Sequence, residues 1–316
     1  MDSLVIGATE IRRGERKRID IPLAEIPGTQ VIMPMPVEVI NGRKKGPVVW
    51  VSGVVHGDEL NGIDIIRQVL ERVTVDNLRG TLIAVPIVNM FGFVTASRYL
   101  PDRRDLNRSF PGSGRGSLAS RLANAFMKQI VAPCTHGIDL HTGSDHRRNL
   151  PQIRADLTDP EARACALAFA APVTIDSHTR DGSLRDAAGQ LGKHVLLYEA
   201  GEPHRFNRDA VKTGVRGTLA VMAHLGMLEP NGEPAPPTTI ATKSQWYRAK
   251  SSGLARLKVS LGDRVKEGQK LAVVCDAFGS DSHIISAPCE GVVIGRAGNP
   301  VVRRGDALVH VATQFE

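Results

Sequence analysis

Pro47-Val-Val-Trp-Val-Ser-Gly-Val-Val-His56 is a nearly unbroken apolar run, rich in valine, that stops at a histidine. β-Branched side chains lose little freedom in an extended chain, and a run without polar alternation offers no face to water. The stretch therefore predicts a strand covered on both sides. Gly57 to Gly62 reads as a turn, and Ile63 to Arg72 carries apolar residues at helical spacing. Gly80 to Asn89 is a second buried strand, which completes the strand, helix, strand unit of parallel sheets. The alternation continues with a helix over 118–130, a strand over 137–141, a helix over 160–170, a strand over 193–199 and a helix over 207–225. It predicts an α/β sandwich around a mixed, largely parallel sheet.

The chain has 316 residues, more than one core usually serves, so two domains are expected. Glu229 to Thr239, with Pro230, Pro234, Pro236 and Pro237, reads as an extended, weakly packed linker between a domain over 1–235 and a smaller unit over 236–316. Beyond it, short apolar segments cut by glycine predict a compact all-β barrel. That part resembles the biotinyl/lipoyl-like barrel-sandwich hybrid. Such carriers present a lysine at a hairpin tip, but the corresponding Asp276–Asp281 has none, so the resemblance implies the fold and not the carrier role.

Hydrophobic residues at 42% and charged residues at 23% fit a globular chain and exclude a disordered one. The net charge of +7 is dispersed, and 4% aromatics leave few stacking platforms, so no nucleic-acid partner is expected; the charge suits small anionic substrates. No apolar run approaches the ~18 residues of a membrane span, and no signal peptide is read at the start. Four scattered cysteines, Cys134, Cys165, Cys275 and Cys289, suggest reduced thiols and a cytoplasmic location. A homo-oligomer is left open.

His56-Gly-Asp-Glu59 follows a buried strand, where open α/β sheets gather ligand-binding residues. His-x-x-Glu is a weak signal alone. It gains weight because Asp139-Leu-His141-Thr-Gly143 ends another strand in a histidine: two histidines and a glutamate are an established ligand set for catalytic zinc. Between them, Arg98 to Gly112 holds a loop dense in guanidinium groups. It reads as a solvated turn or as a carboxylate receptor, in which Arg108 offers a planar fork, Asn107 a neutral donor and Arg98 a group to polarise a carbonyl.

The ordered set His56-Gly-Asp-Glu59, Asp105-Leu-Asn107-Arg108-x-Phe-Pro-Gly112, Asp139-Leu-His141-Thr-Gly143 and Tyr198-Glu199-Ala-Gly-Glu202 resembles the succinylglutamate desuccinylase/aspartoacylase family, over about residues 45 to 225. The resemblance implies a zinc carboxypeptidase-like α/β/α sandwich with one zinc ion per chain, held by His56, Glu59 and His141. It implies Glu199 as the catalytic carboxylate, Asn107 and Arg108 as the substrate carboxylate clamp, and Asp105 as a group orienting a ligand imidazole. Arg98 matches the carbonyl-polarising residue, with Arg103 and Arg104 as alternatives because the spacing to Asn107 differs from aspartoacylase. Arg154 and Arg185 sit in family-like contexts, as substrate contacts or as ordinary ion-pairing arginines. The activity implied is zinc-dependent deacylation of small N-acyl amino acids, with metallo-carboxypeptidase action on short peptides as the alternative. The barrel is expected to wall the cleft.

Overall fold

The computed structural model describes residues 3–26, 28–230, 232 and 234–316. Four strands open the chain: β1 (Ser3–Ile6), β2 (Thr9–Arg12), β3 (Arg16–Glu25) and β4 (Ile32–Asn41). The valine-rich run becomes β5 (Lys44–Gly53), followed by α1 (Asn61–Arg72), β6 (Arg79–Val85) and α2 (Met90–Val94). Then come α3 (Leu118–Phe126) with a π-helical turn at Met127–Val131, β7 (His136–His141), β8 (Arg147–Ala155), α4 (Pro160–Phe169), β9 (Val173–Asp176), α5 (Leu184–Gly189), β10 (His194–Gly201) and α6 (Arg208–His224). The C-terminal strands are β11 (Thr239–Arg248), β12 (Gly253–Leu257), β13 (Arg264–Val265), β14 (Lys270–Cys275), β15 (Ser282–Ser286), β16 (Gly291–Ala297), β17 (Val301–Val302) and β18 (Ala307–Phe315).

β6, β5, β7 and β10 run parallel at the centre of the main sheet, with antiparallel β4 and β3 beyond β6 and antiparallel β8 beyond β10. The period of two along β5 divides the core. Val48 and Trp50 join the cluster that holds α3 and α5, including Leu122, Phe126 and Leu184. Val49 and Val51 join the cluster that holds α1, α4 and α6, including Ile65, Phe169 and Val215. A strand buried on both faces is what the unbroken apolar run required, and the mixed α/β layering agrees with the sequence. Gly137, opposite Trp50 on the neighbouring strand, is glycine for a local reason: a Cβ there would enter the indole ring.

Two connections tie the C-terminal strands to this sheet. β11 pairs in parallel with β9, and β16 pairs with the start of β8. With the β8–β9, β11–β18 and β16–β18 pairings, these five strands close a ring around Val173, Ile175, Ala241, Ile294 and Ala312. The proline-rich segment expected to reach Thr239 therefore leads directly into a shared strand. The remaining strands form a second small sheet, β15-β14-β12-β17, over its own apolar core. Asp276–Asp281 is the tip of the β14–β15 hairpin. Among the described residues no helix is long and apolar enough to cross a membrane.

Candidate active site

The C-terminal ends of the parallel strands converge on a cleft of about 590 Å³. β5 ends at Gly53, so His56 and Glu59 sit in the loop before α1 rather than on the strand. That loop is pinned tightly. Val54 adopts a left-handed φ of 54°, a costly conformation for a β-branched residue and one that marks a constrained turn. Gly57 lies against the backbone of Gly92, where a Cβ has no room. Asn89 caps α2 by accepting from the Gly92 amide and donates to the Val55 carbonyl.

His56 Nδ1 lies 2.9 Å from Glu59 Oε1, and His141 Nδ1 lies 2.9 Å from Glu59 Oε2. The opposite ring nitrogens are also held by carboxylates, His56 Nε2 at 3.0 Å from Asp105 and His141 Nε2 at 2.7 Å from Asp139. Asp139 is anchored in turn by the Ser52 hydroxyl, at 2.8 Å, and Asp105 accepts from the Asn107 amide and from Arg98. The ligand-type atoms of His56, Glu59 and His141 all lie within 4.8 Å of one another and are buried. This donor set fits a divalent cation. Two neutral imidazoles and a carboxylate suit zinc, and each ring has a carboxylate behind it to fix its orientation.

The electrostatics agree. Burial opposes charging of either ring, but Glu59 and Asp105 outweigh it at His56 and raise its pKa, while Asp139 and Glu59 raise that of His141 well above the ordinary histidine value. Burial would raise the Glu59 and Asp105 carboxyls. The neighbouring imidazoles, and Arg98 at Asp105, hold both far below the usual carboxylate range instead. The pocket thus demands positive charge between its carboxylates. Arg98 supplies part of it, with Nη1 at 3.2 Å from His56 Nδ1 and 3.4 Å from Glu59.

Glu199 faces this cluster from β10, paired in register with His141 on β7. Its Oε2 accepts from Asn149 at 2.7 Å. Burial, and then the negative charge of Glu59, push its carboxyl above the ordinary range despite His141, Arg154 and Asn149.

The chain matches the model of the succinylglutamate desuccinylase/aspartoacylase catalytic domain over residues 45–225. It belongs to that family. It is 30% identical over 296 residues to the N-alpha-acetyl-L-2,4-diaminobutyric acid deacetylase of Halomonas elongata, covering 89% of this chain and 86% of that protein. The succinylglutamate desuccinylase/aspartoacylase structure from Rhodobacter sphaeroides superposes with a TM-score of 0.86 at 26% identity, over 99% of this chain and 100% of that one. The product-bound ectoine utilization protein EutE (DoeB) from Ruegeria pomeroyi has a TM-score of 0.86 at 24% identity, with 95% of each chain covered, a likeness of fold. The Halomonas relative is named as a deacetylase, and the matched family is named for desuccinylase and aspartoacylase activities.

Ten of the residues singled out in the sequence line this one cleft: His56, Glu59, Arg98, Asp105, Asn107, Arg108, His141, Arg154, Arg185 and Glu199. Arg103 and Arg104 are exposed and lie outside it. Asn107 does more than face the cleft. Its Oδ1 accepts from the Leu184 amide, so it also holds the start of α5. Arg108 is exposed, whereas Arg185 is largely buried and its Nη1 has no hydrogen-bond partner. Burial, and then the charge of Arg154, depress the Arg185 pKa to about 10.

Several contributors were not singled out. Asp139 was legible, since it alternates with His141 on one face of β7. Asn149, Arg147 and Arg180 come from segments to which the sequence reading assigned no helix or strand. Ser244, Trp246, Arg248, Ala307 and His310 line the cleft from β11 and β18, so the C-terminal strands form part of its wall. Trp246 stacks on His310 at 4.6 Å, the Arg147 guanidinium carbon lies 5.4 Å from the Trp246 ring centroid, and burial among arginines keeps His310 well below its ordinary pKa.

Proposed function

We propose that this protein is a zinc-dependent hydrolase that cleaves the amide bond of small, anionic N-acyl amino acids. The observation that carries the reading is the convergence of His56, Glu59 and His141 with the buried Glu199 in an arginine-lined cleft. Zinc bound by those three residues would supply a Lewis acid and make water a better nucleophile near neutral pH.

The chain's own groups account for the rest. Glu199, with its raised pKa, takes a proton from the attacking water at a carboxylate oxygen and returns it to the departing amine. Asn149 fixes one of its oxygens, so the other is the one that moves the proton. Asp105 and Asp139 hold the imidazoles in the orientation that turns Nδ1 inward. Arg98 stands beside His56 and Glu59 at the position from which a guanidinium can stabilise charge developing on the amide oxygen. Arg108 and the Asn107 amide clamp the substrate α-carboxylate, and fixing it places the amide over the reacting groups.

Charge guides the substrate class. Seven arginines line the cleft against four carboxylates, Glu59, Asp105, Asp145 and Glu199. Arg98 is engaged by Glu59 and Asp105, and Arg147 approaches Asp145. Among the described residues, Arg108, Arg154, Arg180, Arg185 and Arg248 have no carboxylate within ion-pair distance. That exceeds what one α-carboxylate requires, so a second negative group, on the amino acid or on the acyl chain, is the better fit. The zinc-loaded protein should be assayed on N-acetyl and N-succinyl derivatives of acidic, neutral and basic amino acids. Preference for acidic members supports the reading; preference for N-acetyl-2,4-diaminobutyrate, the compound in the relative's name, would overturn its charge argument.

A further inference from the structure

At the end of the sheet away from the cleft, His136 opens β7 and His194 opens β10, in register on adjacent parallel strands. Their rings pack at 5.1 Å. Facing them, α4 presents Glu161 and Cys165, four residues apart and so on one helix face. His136 Nε2 lies 3.2 Å from Glu161 Oε1, and ligand atoms of His136, Glu161 and Cys165 all lie within 4.8 Å of one another. Asp159, the N-cap of α4, holds His194 Nδ1 at 2.6 Å.

The Thr135 hydroxyl lies 3.2 Å from the Val48 carbonyl, to which it can donate, and 2.9 Å from His136 Nδ1, from which it can then accept. In that arrangement Nε2 is free to direct a lone pair between Glu161 and Cys165. Cys165 is 2% exposed and its thiol has no hydrogen-bond partner among the described residues, unlike those of Cys134 and Cys275, which reach backbone carbonyls.

We propose that His136, Glu161 and Cys165 form a second metal site, specific for a divalent transition ion of the zinc class, separate from the cleft. The borderline imidazole and the soft thiolate, beside the hard carboxylate, select zinc over magnesium or calcium, and Thr135 behind His136 gives the ring an outer partner of the kind metal-binding histidines have. Binding breaks the Cys165 S–H bond, forms a sulfur–metal bond and releases one proton to solvent. The role is structural: the ion would clamp α4 to the start of β7, whose far end carries His141.

Cobalt distinguishes the two sites, since the cleft offers only nitrogen and oxygen. The chelator-stripped full-length protein, titrated with Co²⁺, should bind two equivalents and develop a thiolate-to-cobalt charge-transfer absorption. Cys165→Ser should lose that absorption and one equivalent while keeping deacylase activity, and His141→Ala should keep the absorption. Should Cys165→Ser fail to fold, Glu161→Gln should weaken the sulfur-bearing site at least about tenfold. A folded wild type that binds one equivalent without the absorption, or an absorption that survives Cys165→Ser, would overturn the proposal.

Discussion

Asp139→Asn tests whether carboxylates behind the imidazoles set the strength of the proposed zinc site. Asp139 is buried, accepts from Ser52 at 2.8 Å and holds His141 Nε2 at 2.7 Å. Asparagine preserves the volume, so the fold should stand. The change is electrical: a charge-assisted hydrogen bond becomes a neutral one of roughly half the strength. If the amide instead turns its NH₂ toward His141, Nε2 must accept and the proton moves to Nδ1, the nitrogen that faces Glu59. Either way zinc binding should weaken by about 10- to 100-fold, or ~1.4–2.7 kcal/mol. Competition with a chromophoric chelator measures it, and circular dichroism checks the fold. Affinity within twofold of wild type would refute the claim that Asp139 orients the ligand ring.

Further outcomes follow from the same geometry. Glu199→Gln keeps the Asn149 contact but cannot take a proton, so turnover should drop at least about 100-fold while metal content, read by atomic emission, stays unchanged. Because Arg108 is exposed, Arg108→Ala should raise KM by only about 5- to 30-fold with kcat little affected. Arg185→Met should raise KM more than Arg108→Ala does, since its guanidinium is buried and would meet the substrate anion away from water; steady-state kinetics compare the two. Gly137→Ala forces a methyl into Trp50 and should cost about 1–3 kcal/mol or more in chemical denaturation, without altering metal affinity in the fraction that folds.

The apolar runs made the central strands and their helices legible, because strands buried on both faces leave no polar residue to confuse the period. The first four strands were not read. β3 alternates exposed and buried positions with charges between them, as edge strands do, and Pro34 and Pro36 interrupt β4. β8 was missed because Arg147, Arg148 and Asn149 resemble a polar loop; Arg147 and Asn149 are tolerated because they face the cleft, and Arg148 because it is exposed and pairs with Glu202. The site was legible where chemistry demands fixed spacing, as in His56 to Glu59, or strand alternation, as in Asp139 to His141. It was illegible where the fold brings distant segments together. Nothing local in Trp246 or His310 signals a cleft wall, because that position depends on β11 pairing with β9 and on a ring of five strands closing.

The most direct test of the central claim is hydrolysis by matched wild-type and Glu199→Gln proteins, both loaded with zinc, on an N-acyl acidic amino acid and its α-carboxamide. Free amine and carboxylic acid are quantified separately. The account predicts equimolar products from the acid with wild type, a much slower reaction with the α-carboxamide, and at most about one hundredth of the wild-type rate with Glu199→Gln. Equal turnover by the two zinc-loaded proteins, or no amine release from any N-acyl amino acid, would contradict it.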